Sequence, residues 1–289
     1  MAALALAFLW CTALAGDLEA GLKAYKAREY AAALPPLARA AQAGNVQAQT
    51  ILAWMYLQGE GVTNDPAKAA VWLTKASEKG NASAQYNLGL LLGAGRGIKQ
   101  DLKGALSWLR KAANQRHAGA QYTLGLMYAN ALGTPRDAAQ ATAWYEKAAN
   151  QGYAQAQLAL GVVLQSGQLV RQDLARAAYW FGKAAEQDNP AAQTNLANLY
   201  ANGQGVPRDL NQALAWYQKA AARGDSGAQF NLGVLYSTGT GVPVDYVEGY
   251  KWLALAERQG GGAQAAKMRA FVEARMSPQQ LAQVRARAN

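Results

Sequence analysis

The chain repeats itself every 36 residues, and that period decides more about its fold than any local motif. The pair Ala-Gln recurs at Ala48-Gln49, Ala84-Gln85, Ala120-Gln121, Ala156-Gln157, Ala192-Gln193 and Ala228-Gln229. Leu52, Leu88, Leu124, Leu160, Leu196 and Leu232 keep the same step. So do Asp65, Asp101, Asp137, Asp173, Asp209 and Asp245, and Trp72, Trp108, Trp144, Trp180, Trp216 and Trp252. Length alone would suggest about two ordinary domains, but six units in register overrule it. They run over 45–80, 81–116, 117–152, 153–188, 189–224 and 225–260.

Within a unit, Gln49, Leu52, Ala53 and Tyr56 fall at i, i+3, i+4 and i+7, which is one face of a helix, here helix A. The segment Gly59 to Asp65 then breaks the period with two glycines and ends on an aspartate suited to accept backbone N–H bonds. Pro66 opens helix B, whose stripe is Ala69, Trp72, Leu73 and Ala76, and Gly80 closes it. A lone hairpin cannot bury two apolar stripes, so the units must stack into an all-α solenoid. The six tryptophans read as its stacking core, each contributing an upper bound of about 4–6 kcal/mol if fully buried.

Composition agrees with a helical, folded chain: 66 alanines, 16% charged residues and 8 prolines in 289 residues. One cysteine (Cys11) and one histidine (His117) exclude a multi-cysteine or multi-histidine metal site and any internal disulfide framework. No cofactor is expected. The first fifteen residues carry no charge and end in Ala13-Leu14-Ala15, the small-x-small pattern of a signal-peptidase site, although no basic residue precedes the apolar run. Residues 1–15 therefore read as a signal peptide, which makes the protein periplasmic or secreted; they are too short for a permanent membrane anchor. Residues 16–44 read as N-terminal capping helices and 261–289 as C-terminal ones, with Ser277-Pro278-Gln279-Gln280 in capping-box order.

The strings Ala84-Gln85-Tyr86-Asn87-Leu88-Gly89, Gly203 to Asp209 and Ala215-Trp216-Tyr217-Gln218-Lys219-Ala220-Ala221 resemble the Sel-one-like repeat (SLR) family, a branch of the tetratricopeptide-type solenoids. The resemblance covers about 240 residues and implies a right-handed superhelix that binds proteins. Departures are local: Ala131 and Leu169 replace turn glycines, Leu92 and Leu164 the helix A tyrosine, and Arg116 and Asp188 the closing glycine. Some secreted relatives are described as penicillin-binding or β-lactam-hydrolysing. This chain has no S-x-x-K, S-D-N or K-T-G, nor the paired cysteines of that subgroup, so a cell-wall hydrolase is only a remote alternative.

No catalytic constellation remains. The six aspartates are spread one per unit and read as N-caps, and His117 reads as a surface loop residue. What the sequence offers is a surface. In the related tetratricopeptide fold helix A lines a concave groove, and the matching positions here make Trp54, Tyr86, Tyr122, Asn198 and Phe230 candidate contacts for a protein or extended peptide. Burial against the next repeat is the competing explanation for them. A second candidate is basic. The net charge is +10, and half of it lies in Arg96, Lys99, Lys103, Arg110, Lys111 and Arg116 against Asp101 alone, a patch that could meet anionic glycan or a membrane surface. Nucleic acid is disfavoured, since no groove-reading module or aromatic platform accompanies the charge.

Overall fold

The computed structural model describes residues 16–286, all helices and turns without a strand among them. The expected secretory segment over 1–15 lies outside the described residues. The described residues divide into two compact units, the first ending at Ala148 and the second beginning at Ala149.

The first unit begins with α1 (residues 16–26) and α2 (Tyr30–Gln42). Three hairpins follow: α3 (Val46–Gln58) with α4 (Pro66–Glu78), α5 (Ala82–Ala94) with α6 (Leu102–Asn114), and α7 (Ala118–Ala129) with α8 (Ala138–Asn150), whose last turn contains the unit boundary. The second unit holds α9 (Ala154–Ser166) with α10 (Leu174–Ala185), α11 (Pro190–Asn202) with α12 (Leu210–Ala222), and α13 (Ser226–Thr238) with α14 (Tyr246–Ala256). A wide kink at Glu257–Gly261, where Gln259 and Gly260 leave helical dihedrals, leads to α15 (Gly262–Glu273) and α16 (Pro278–Ala286).

Each element starts and stops for a local reason. All six repeat aspartates accept a backbone N–H two or three residues on: Asp65 from Lys68, Asp101 from Gly104, Asp137 from Gln140, Asp173 from Arg176, Asp209 from Gln212 and Asp245 from Glu248. Helix A is capped in the same way by Asn45, Asn81, Asn189 and Asp225. His117 belongs to this set. Its Nδ1 accepts the Ala120 N–H at 3.1 Å while its ring stacks on Tyr86 with centroids 4.6 Å apart, so the lone histidine is a structural N-cap, not a loose surface residue. Helix A ends on a left-handed residue, Gly59 at φ 75° for example. The chain adopts that backbone even without glycine: Ala131, Arg116 and Asp188 have φ of 57°, 64° and 62°. At the last helix Ser277 and Gln280 exchange the two bonds of a capping box.

The repeated glutamine stitches neighbouring hairpins. From the first turn of each A helix its Nε2 donates to a carbonyl at the end of the preceding B helix: Gln49 to Ala41, Gln85 to Ser77, Gln121 to Ala113, Gln157 to Ala149, Gln193 to Ala185 and Gln229 to Ala221, at 3.0–3.2 Å. All six side chains are buried, so a helix C-terminus that would otherwise lack donors in an apolar seam receives one.

The core differs from the expected tryptophan stack. It consists of the small alanine columns with Leu37, Leu73, Leu109, Tyr145, Phe181, Tyr217 and Leu253. Helix A approaches so closely there that a Cβ on Gly161 would lie 2.5 Å from the Phe181 ring. Only Trp144 and Trp180, 8% and 9% exposed, are buried; Trp72, Trp108, Trp216 and Trp252 are half-buried. A lysine three residues later covers four of the six rings, the buried Trp144 included. Lys75, Lys111, Lys147 and Lys219 place Nζ 4.4, 3.9, 3.7 and 4.2 Å from the ring centroids of Trp72, Trp108, Trp144 and Trp216. The half-buried rings of Trp72, Trp108 and Trp216 are lids, packed on the core on one side and facing a cation on the other.

Candidate functional site

The A helices carry no aspartate, glutamate, lysine or arginine. This holds for α3, α5 and α7 in the first unit and for α9, α11 and α13 in the second. Every charge in the repeats sits on a B helix, a turn or a cap. A chain with 28 basic and 18 acidic residues thus keeps one class of helices neutral. Their outward positions are apolar or carry uncharged polar groups, with Trp54, Leu90 and Val162 exposed.

In the first unit Trp54 is 43% exposed and lines a recess of about 200 Å³ with Tyr25, Thr50, Ile51 and Asn87. Tyr25 comes from α1 and donates its hydroxyl to Glu60 at 3.0 Å; burial and that carboxylate push its pKa up to about 12. Tyr86 and Tyr122 are half-buried. Tyr86 stacks on His117, and Tyr122 leans on Tyr145 at 5.9 Å between centroids. Tyr86 therefore packs between two hairpins and Tyr122 within one, each only half-buried, and burial raises the Tyr122 pKa.

In the second unit Asn198 is a polar anchor. Its Oδ1 accepts from the Tyr217 hydroxyl at 2.5 Å and from Asn231 Nδ2 at 3.1 Å, and burial pushes the Tyr217 pKa up to about 12. Asn198 Nδ2 and Asn231 Oδ1 have no partner among the described residues, so the pair presents an amide NH2 as donor and a carbonyl oxygen as acceptor. Phe230 packs onto the C-terminal cluster of Leu253, Val272, Met276 and Val284, which places it at the seam with α15 and α16. Tyr25, Asn87 and Asn231 escape a search confined to the residue after Ala-Gln and the one four further on. The missing signal was the absence of charge from whole helices, which is visible only once the columns are assigned to elements.

The six basic residues divide along α6. Arg96, Lys99 and Lys103 lie at or before its first turn, Arg110 just before its last turn, Lys111 in that turn and Arg116 beyond it. Two are engaged within the protein: Arg110 donates to the Tyr128 hydroxyl at 2.6 Å, and Lys111 covers Trp108. No group of three metal-ligating side chains occurs among the described residues, and no helix among them is long and apolar enough to cross a membrane.

Comparison with known proteins agrees with this geometry. A protective antigen of uropathogenic Escherichia coli strains displaying an SLR fold is 35% identical over 89% of this chain, with a TM-score of 0.83. The present chain spans 55% of that protein's length. A Sel1 repeat protein from Oxalobacter formigenes is 34% identical, covered over 83% of this chain and 96% of its own, with a TM-score of 0.74. Among curated proteins the comparison finds no match. The model of the Sel1 repeat matches six times, at 46–81, 82–117, 118–153, 154–189, 190–225 and 226–261. Stacked hairpins with glutamine stitches and aspartate caps, matched without a gap from residue 46 to 261, mean that the chain belongs to the Sel1 repeat family of α-solenoids, commonly protein-interaction scaffolds.

Proposed function

We propose that the protein is a non-enzymatic scaffold that holds an uncharged, apolar-rich segment of a protein partner against its A helices, and that it works in the periplasm or outside the cell on an envelope, signalling or host assembly. The observation that carries this reading is the exclusion of charge from every repeat A helix beside exposed Trp54, Leu90 and Val162. Such a face offers a charged segment no partner and favours apolar side chains, whose burial supplies the binding free energy. Asn198 and Asn231 supply the donor and acceptor that a peptide group requires. Export rests on residues 1–15, with cleavage before Gly16.

The test is capture from envelope extract by residues 16–289 at low and moderate salt, beside a Trp54→Ala, Tyr86→Ala, Tyr122→Ala variant. One protein retained at both salts and lost with the variant is the expected result, because exposed charges contribute little to a neutral face. Retention that ignores the aromatics and collapses with salt would transfer the reading to the basic residues of α6. Export is checked by sequencing the N-terminus of the fractionated protein; an intact leader in the cytoplasm contradicts it.

A further inference from the structure

A cavity of about 440 Å³ opens on the B-helix side of the second unit, between α10 and α12, within the range of small-ligand sites. Its origin lies in the repeat register. In the second repeat Arg110 projects from the B helix and donates to the Tyr128 hydroxyl, 18 residues on, at 2.6 Å. In the fifth repeat Gln218 occupies the same column and approaches the Tyr236 hydroxyl at 3.5 Å. In the fourth repeat that column holds Gly182, and its target is Tyr200. No side chain fills the space: a Cβ on Gly182 would meet nothing within 4 Å, and the neighbouring column holds Ala178 where other repeats have Leu106 and Leu214. Tyr200 is among the residues that line the cavity, and its hydroxyl has no partner among the described residues.

The walls suit what is missing. Tyr179, 56% exposed, stands in a column otherwise filled by Val71, Ser107, Ala143, Ala215 and Lys251, and Trp216 lies opposite on α12. Each ring already has an ammonium over one face, Lys183 Nζ 5.8 Å from the Tyr179 centroid and Lys219 Nζ 4.2 Å from that of Trp216, so a guanidinium entering the cavity takes the place of Lys183 over Tyr179. Glu186 lines the cavity as well, beside Lys183; among the described residues its carboxylate is held by Lys183 alone, at 3.4 Å in an exposed pair, and such pairs exchange at little cost. We propose that this cavity receives the guanidinium of an arginine side chain presented by a polypeptide partner, which reaches the Tyr200 hydroxyl as Arg110 reaches Tyr128. The site is distinct from the neutral A-helix face, and its ligand has the opposite character. The chain's own Arg110, a polypeptide side chain in the equivalent place, is the template for the occupant.

The test is titration of the full chain with N-acetyl-Ala-Arg-Ala-amide, followed through the Trp216 indole N–H resonance. A saturable shift is expected, with the citrulline tripeptide, of nearly the same shape but uncharged, binding at least about tenfold more weakly. Gly182→Arg refills the cavity from within. It is expected to abolish the response and to raise the melting temperature, because glycine inside a helix is destabilising; the higher melting temperature shows that the variant folds. Tyr200→Phe weakens binding with the fold retained. Equal binding of the citrulline peptide, or an undiminished response in Gly182→Arg, overturns the proposal. N-acetylarginine amide binding as tightly as the tripeptide would overturn its polypeptide part.

Discussion

Ala131 is the sharpest place to test how the turns are built. It stands where the other five repeats have Gly59, Gly95, Gly167, Gly203 and Gly239, yet it keeps the left-handed backbone, with φ 57°. The Leu132 N–H still closes on the Met127 carbonyl at 2.9 Å, as Glu60 closes on Met55 in the first repeat, so register is retained at the expense of strain. An L-residue in this region costs about 1–2 kcal/mol. Replacing it with glycine relieves that but returns about 0.4–1 kcal/mol through the freer unfolded chain. Ala131 is exposed, so no packing is lost. Ala131→Gly should therefore stabilise the third repeat by about 0.5–1 kcal/mol. Gly203→Ala is the mirror experiment: φ is 67°, and the new Cβ would lie 3.1 Å from Arg208 Cβ, so a loss of about 1 kcal/mol or more is expected. Stacked repeats can open separately, so urea unfolding should be paired with amide exchange in the two turns. A lower midpoint for Ala131→Gly, or an unchanged one for Gly203→Ala, would refute backbone strain as the quantity that separates these turns.

Other perturbations probe the remaining joints. Gln193 is fully buried and donates to the Ala185 carbonyl while its Oε1 lacks a partner; Gln193→Ala should cost about 2–4 kcal/mol, and Gln193→Leu less than half of that, since the orphan oxygen leaves too. Both are read by urea unfolding. His117 is held below its ordinary pKa by burial, and protonation removes the Nδ1 acceptor that caps α7. Because the unfolded chain binds this proton more readily, stability present above about pH 6.5 falls as the pH drops through the depressed native value. Melting temperatures between pH 7.5 and 5 should show a decline that His117→Asn lacks, as Asn81 and Asn189 cap the equivalent helices without titrating. Asp173→Ala removes the bond to the Arg176 N–H and should cost about 1 kcal/mol, visible as faster amide exchange in the first turn of α10.

The neutral A-helix face and the cavity beside Gly182 illustrate different limits of reading a chain. The face is written in the sequence: any 36-residue alignment shows that the columns 46–58 around the Ala-Gln pair hold no charge in any unit. Its meaning depends on knowing that these residues form one class of helices with an outward side, and the selected aromatics Tyr86, Tyr122 and Phe230 prove to be packed as well as presented. The cavity depends on a relation between residues 18 apart on different helices. Gly182 is an ordinary small residue until Arg110 is seen touching Tyr128.

The sequence by itself determined the period, the boundaries of helices and turns, the aspartate caps and the family, because these follow from backbone preferences and hydrophobic spacing over a few neighbouring residues. Only the tertiary structure decided which side of each residue meets solvent. It kept Trp144 and Trp180 in the core but made Trp72, Trp108 and Trp216 half-buried lids beneath lysines, turned His117 into a cap, and gave the buried glutamines their carbonyls across the seam. The physical reason is that periodicity specifies which face of a helix is apolar, whereas the depth of a side chain and its hydrogen-bond partner are properties of the neighbouring helix, reached only when the hairpins stack.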